Sequence, residues 1–473
     1  MQGKEAEMAA AFLHPYIPNS VPEVMRQMMQ EIGIDDIDDL FKDLPFRSDP
    51  IDLPGPMSEY ELRRYIAEIL SKNNERLLVF CGAGCWPHYV PAVVDEIINR
   101  TEFKTAYLGL PEPEKGKMQA LFEFQSMMAE MIGMDVVINS VYDWSTAAGE
   151  AANMARRLTG RSQILVPANI SPDRLDVMKT YTKWSGARIQ TVAFDPKRGT
   201  IDLSELQRSA CPDTAAVYIE NPSYLGVIED QVDEIATIAH SAGAVFAVGV
   251  DASSLGILEP PGGYAADIVV GEAQPFGLHM NFGGNSLGIF GCKDDPEYLA
   301  QLPGYVGAVA PTVDRQGRGY LDTLWDRRHF FVQRENATSL IGSSSNLCAI
   351  GAAVYMALMG PRGMGELSEV ITTRANYAVK RICQIDGLKT PVFSGAHFKE
   401  FVVNFDKLNV DVAAINKALY RKHAIVGGKD LSKEYPELGK SALYCVTETH
   451  TLKDIERLIT ALGEIAKGGG ASV

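Results

Sequence analysis

The chain has 473 residues, and 44 Lys plus Arg against 60 Asp plus Glu leave it a formal charge of −16. An acidic surface repels a phosphate backbone and an anionic bilayer, so neither nucleic acid nor membrane is expected as a partner. With 46% hydrophobic and 22% charged residues the composition excludes disordered and fibrous classes and allows a large core, at a length that admits about three domains.

The first 70 residues hold several prolines and an acidic helical stretch at 34–44. They are expected to form an arm laid on the main domain or on a partner subunit. Lys4, Glu5 and Glu7 ahead of a short Ala/Met run lack the positive start and apolar core of a secretory signal. The longest strongly apolar run, 243–250, is far short of the ~20 residues that a membrane helix needs. The seven cysteines (81, 85, 211, 292, 348, 383 and 445) are scattered and odd in number, as reduced thiols would be. A cytoplasmic protein is the expectation.

From about residue 71 to 360, short β-rich apolar runs alternate with helical stretches. The spacing predicts strands at 76–81, 135–139, 163–167, 188–194, 214–220, 244–250, 267–271 and 287–291. Continuous apolar strands separated by helices predict an α/β domain whose mainly parallel sheet is covered on both faces. The punctuation agrees: Ser171-Pro172 opens a helix, and Gly243 follows one that contains Ile235, Ile238 and Ala239. Met127, Met128 and Met131, beside Phe122 and Phe124, read as the core stripe of a helix. Residues 301–333, rich in Gly and charge, read as a long loop. After 360 the order helix, strand (400–405), helix (412–423), strand (442–446), helix (452–465) predicts a small α+β domain over 361–473.

Several motifs could carry chemistry. Gly82-Ala83-Gly84 after the first strand resembles a dinucleotide turn, but Pro87 stands where the third glycine belongs and no acidic residue closes a second strand. Cys81 and Cys85 lack the second ligand pair of a zinc site, so no metal is expected. Ser145-Thr146-Ala147-Ala148-Gly149-Glu150 starts a helix with small and hydroxyl residues, which suits either an anion cradle or a plain N-cap. Asp251 ends the most apolar strand, where a carboxylate points into the ligand crevice of a parallel sheet. There it either caps the next turn or, as in pyridoxal-phosphate enzymes, holds a ring nitrogen protonated. Such an enzyme needs a lysine just past the next strand, and 271–279 (GEAQPFGLH) has none. Lys293, beside Asp294 and Asp295, reads as a solvated loop residue. His88, His279 and His329 have no triad partner at a recognisable spacing.

The residues 12–20 (FLHPYIPNS) and 29–46 (MQEIGIDDIDDLFKDLPF) resemble the opening of the glycine cleavage system P-protein, in the form divided between two chains. Further blocks agree in the same order: 88–94 (HYVPAVV), Thr105-Ala106-Tyr107, 119–134 (QALFEFQSMMAEMIGM), Gly284 with 287–290, and 334–339 (RENATS). The resemblance runs from about residue 12 to about 465. It implies the fold type I pyridoxal-phosphate architecture, aspartate aminotransferase-like, with a small C-terminal domain, in an (αβ)2-type assembly. It further implies that this chain is the N-terminal subunit and that a second subunit supplies the Schiff-base lysine for pyridoxal phosphate. The pair would release CO2 from glycine and pass the aminomethyl group to the lipoyl carrier (H) protein. Tyr107 is then an interface contributor to the active site, while Ser145, Thr146 and Asp251 occupy cofactor-binding positions as vestiges.

This chain departs from the family pattern at three loops: Leu108-Gly109-Leu110 after Tyr107, Trp144 where the family has Gly, and Asn336 where it has Lys. Leu110, Lys115 and Trp144 motivate one alternative, a divergent paralogue acting on another amino acid or amine. A separate alternative is a non-catalytic scaffold or regulatory homodimer.

Overall fold

A computed structural model describes residues 14, 16–17, 20–44, 54–74, 76–104, 115–283, 286–323, 345–408 and 410–468. Tyr107, Leu110, Gly284, His329 and the block 334–339 lie outside the described residues. The chain divides into two compact units, Met1–Asn74 and Glu75–Val473.

The first unit holds the helices Pro22–Ile32 and Glu59–Leu70. Gly33, at φ 74°, ends the first, and a Ser58/Glu61 capping box starts the second. The acidic stretch expected to be helical is a 3₁₀ turn at Ile37–Phe41, which starts on an Asp36/Asp39 capping box.

In the second unit the strands are β1 (Leu78–Val79), β2 (Val136–Val137), β3 (Gln163–Pro167), β4 (Arg188–Val192), β5 (Thr214–Glu220), β6 (Val245–Asp251), β7 (Ile268–Glu272), β8 (Gly288–Cys292), β9 (Val306–Pro311) and β10 (Arg318–Thr323), followed by β11 (Glu400–Asn404), β12 (Ile425–Val426), β13 (Lys429–Asp430) and β14 (Ser441–Cys445). Seven form the central sheet, in the order β2-β8-β7-β6-β5-β3-β4. Only β8 runs against its neighbours. Every residue of β5, β6 and β7 is buried, which is why these strands read as unbroken apolar runs.

The two faces of the sheet separate by alternation. Val217, Ile219, Phe246, Val248 and Val269 pack in one core with Leu121, Phe124 and Met128 of the helix Met118–Ile132, with Met127 and Met131 against its edge. Ala216, Tyr218, Ala247, Ile268 and Val270 pack in the other with Ala147, Ala148, Ala151 and Ala152 of the helix Trp144–Thr159. Each fully buried Val, Leu, Ile or Phe contributes roughly 1.5–3 kcal/mol. Gly243, at φ 66°, closes the helix Val232–Ser241 and turns the chain into β6.

Two expectations are corrected. Residues 76–81 do not open the central sheet: only Leu78–Val79 is strand, and it pairs in parallel with β12. A short apolar run carries no information about which sheet it joins. The long loop expected over 301–333 contains the antiparallel hairpin β9–β10, held to the helix Met118–Ile132 by the Phe122 and Tyr320 rings, 5.6 Å between centroids.

The C-terminal part forms a sheet in the order β11-β14-β13. The helices Val412–His423 and Leu452–Lys467 pack on it through Ile415, Leu419, Leu458 and Leu462 against Phe401, Val403 and Tyr444. The helical segment Asn346–Ile382 leads into this part. It is broken at Gly360 (φ 62°, ψ 176°) ahead of Pro361. By length and composition this helix could cross a membrane. Ala349, Ile350, Ala352 and Tyr355 instead lie in the main core.

Candidate functional site

Strands β5, β6 and β7 end side by side on three carboxylates, Glu220, Asp251 and Glu272. All three are buried. The strand order reverses beside β5, because β3 is flanked by β4 on one side and β5 on the other. The crevice at such a reversal is where sheets of this kind take ligands. A buried carboxylate without a partner is costly, so the groups facing these three define the site.

Glu220 is met by Arg174 from the helix Pro172–Thr182. The guanidinium pairs with both carboxylate oxygens, Nε with Oε1 and Nη2 with Oε2 at 2.8 Å. Its carbon lies 3.9 Å from the centroid of the Trp144 ring. The Trp144 indole donates to the Tyr218 hydroxyl at 3.0 Å, and that hydroxyl donates to Glu220 at 3.3 Å. Burial opposes the charge on Arg174, but Glu220 leaves it above its ordinary value. Burial, and then the Glu220 charge, push Tyr218 far above a normal phenol, which keeps it a donor.

Asp251 has both oxygens engaged. Oδ1 accepts from the Ser253 amide at 3.0 Å and hydroxyl at 2.7 Å, and Oδ2 faces the Lys399 ammonium at 2.6 Å. Lys399 Nζ also lies 3.1 Å from His88 Nε2, 3.2 Å from Ser253 Oγ and 3.5 Å from the centroid of the Trp86 ring. An ammonium offers only hydrogens, so His88 Nε2 accepts and Nδ1 carries the ring proton. That proton is donated to Glu448 at 2.9 Å. Burial, then the Lys399 charge, hold His88 below the usual imidazole range. The result is a continuous buried line: Asp251, Lys399, His88, Glu448.

Glu272 accepts from the amides of Gln274 and Leu287 and the Ser286 hydroxyl, each at 2.9 Å, and from the Trp144 amide at 3.3 Å. Burial pushes it up to about 7. Asp143 caps the same helix by accepting from the Thr146 amide at 2.7 Å. Two carboxylates thus occupy the helix start that an anion cradle would need and would repel a phosphate there.

The structure brings Asp251 and Trp144 into the cleft, together with Trp86, Arg174, Tyr224 and Lys399. Ser145 and Thr146 sit in the first turn of the neighbouring helix and do not line it. Tyr107 lies outside the described residues. The remaining cavity is about 10 Å³, barely the room for one water. Pyridoxal phosphate requires a ring slot, a phosphate cradle and a free aspartate, and here all three are filled by protein groups. The residues present do not fit the cofactor.

Gly82-Ala83-Gly84 is no phosphate turn, because its Ala83 amide is taken by the buried Glu400 carboxylate at 2.6 Å. Lys293 is half exposed and paired with Asp267 at 2.8 Å, a solvated position as expected. His279 bonds Asp95 at 3.0 Å on the surface. The absence of a partner for His88, expected from its spacing, is corrected: Glu448 and Lys399 reach it from the C-terminal part of the chain. Sequence reasoning also missed Arg174 and Lys399. The one available signal was Lys399-Glu400, two charges opening the apolar strand 401–405, which reads equally well as an edge. Among the described residues no group of His, Cys, Asp and Glu is arranged to hold a metal ion.

Residues 14–462 match the family model described as glycine cleavage system P-protein. The chain is 40% identical over 464 residues to a probable glycine dehydrogenase (decarboxylating) subunit 1 from Staphylothermus marinus, covering 96% of this chain and 98% of the relative. It is 43% identical over 458 residues to the protein of the same description from Pyrococcus abyssi, with 95% and 99% covered. Among solved structures it is similar to a glycine decarboxylase (P-protein) of the glycine cleavage system in inhibitor-bound form, at a TM-score of 0.83 and 33% identity, over 96% of this chain and 100% of that one. A sphingosine-1-phosphate lyase from Burkholderia pseudomallei, at a TM-score of 0.63 and 13% identity over 90% and 94% of the chains, shares the fold alone.

Proposed function

The chain belongs to the glycine cleavage system P-protein family, and we propose that it works there as the silent member of a pair whose other chain carries the Schiff-base lysine and pyridoxal phosphate. Its architecture is that of the fold type I pyridoxal-phosphate enzymes. The observation that carries the proposal is a complete fold with a filled cleft: no lysine in 271–279, and about 10 Å³ left beside Asp251.

In this reading the pair breaks the bond from the glycine α-carbon to its carboxylate and releases CO2. The aminomethyl carbon joins one sulfur of the lipoyl disulfide on the carrier protein, and the other sulfur leaves as a thiol, so the oxidation of glycine is balanced by reduction of the disulfide. The electron-accepting chemistry belongs to the cofactor on the partner. This chain contributes surface and positioning across the interface, and Tyr107 is its proposed contributor to the active site. Seven free thiols support a cytoplasmic setting.

The test is exchange of labelled bicarbonate into glycine. Neither chain alone is expected to catalyse it, and the co-purified pair is. Tyr107→Phe is expected to slow exchange on the order of tenfold, equivalent to about 1.4 kcal/mol, with assembly unchanged. Exchange by this chain alone, or no complex with a lysine-bearing P-protein chain, would overturn the proposal.

A further inference from the structure

We infer that Lys399 is the built-in cation of this cleft: its ammonium stands on Asp251 where a loaded chain of this fold would present a protonated ring nitrogen, so the chain folds complete without a cofactor and keeps one out. The inference goes beyond the pairing proposed above, because it concerns this chain's own residues and holds whatever the substrate.

Three observations carry it. First, the hydrogen-bonding capacity of the ammonium is used inside the protein. Asp251 Oδ2 at 2.6 Å, His88 Nε2 at 3.1 Å and Ser253 Oγ at 3.2 Å surround it, with the Trp86 ring at 3.5 Å from its centroid. A cation over an indole face and against a carboxylate is what a buried pyridinium would also find. Second, Lys399 is fixed. Its side chain is 2% exposed, and its carbonyl accepts from the Val446 amide at 2.9 Å beside β14. Third, the neighbouring subsites are closed by the same strategy, each charge answered by a protein group: Arg174 on Glu220, and Asp143 and Glu272 on the helix start.

The pair predicts a specific chemical rescue. Lys399→Ala removes three carbons and the ammonium, the outline of n-propylammonium, and leaves Asp251 buried without its cation. The full-length variant is expected to melt roughly 5 °C or more below the parent chain. Millimolar n-propylammonium is expected to restore part of the loss in the variant only, and n-propanol to restore none. Should Lys399→Ala fail to fold, the cycle of Lys399→Met, Asp251→Asn and the double variant gives the same information. The double variant, with neither charge left unpaired, is expected to melt above both single variants.

Retention of pyridoxamine 5′-phosphate after dialysis, a probe without the aldehyde that labels surface lysines, is expected to be nil for the parent chain. One equivalent retained by the parent chain would overturn the inference. So would a Lys399→Ala chain that melts like the parent, equal rescue by n-propanol, or strictly additive single variants. None of these readouts depends on glycine exchange, so failure here is distinguishable from failure of the pairing.

Discussion

At the scale of single residues, the site is a set of buried charges that must each be answered. Arg174 and Glu220 are 6% and 0% exposed in their side chains, so neither can fall back on water. Glu220→Ala is expected to cost about 3–5 kcal/mol in urea unfolding, because it strands a guanidinium against Trp144. Replacing both partners with methionine is expected to cost much less than the sum of the single changes; additive costs would show that the pair is not the unit. His397 shows the opposite case, a half-buried imidazole whose buried Nε2 has no hydrogen-bond partner among the described residues. Burial alone holds it below the usual range. The unfolded chain therefore binds the proton first, and stability is lost as the pH falls through about 6.5 toward the folded value, with a slope of up to about 1.4 kcal/mol per pH unit. In urea melts at pH 7.5 and 5.5, His397→Gln is expected to lose less than the parent chain. Parallel losses would remove His397 from the account.

At the scale of elements, the sheet holds the site and its close packing fixes the geometry. Gly249 lies in β6 directly under the indole. A Cβ there would come within 2.5 Å of the Tyr218 hydroxyl and 2.6 Å of Trp144 Nε1. Gly249→Ala is expected to cost about 1–3 kcal/mol and to break the Trp144–Tyr218 hydrogen bond, read as a change in near-UV circular dichroism. An unchanged spectrum and melting temperature would show that the strand gives way. Elements were legible in the sequence to the extent that their burial was uniform. Strands β3 and β5 lie at the residues expected, and β6, β7 and β8 are displaced by one residue, because fully buried strands leave unbroken apolar runs. The hairpin β9–β10 was not legible. Its described residues are half or fully exposed, with Gly307, Gly317 and Gly319 in and around it, so neither periodicity nor apolar content separates it from a loop. The small C-terminal sheet was legible for the same reason as β5, since β11 and β14 are almost wholly buried.

At the scale of the whole molecule, a charge of −16 coexists with a cleft in which positive groups decide the outcome. Net charge sums every ionisable residue and does not say where a buried ammonium stands. The sequence by itself determined the layered α/β fold, its mainly parallel sheet, the family to which it belongs and the missing lysine after β7, because these are written in local patterns of apolar residues and in the order of recognisable blocks. Only the tertiary structure decided what became of the empty position. Lys399 reaches Asp251 from the start of β11, Glu448 reaches His88 from beyond β14, and Arg174 reaches Glu220 across the crossover between β3 and β4. These partners have no fixed separation along the chain. What joins them is the requirement that each carboxylate sealed at the end of a buried strand be neutralised or hydrogen-bonded by whatever group the fold brings there.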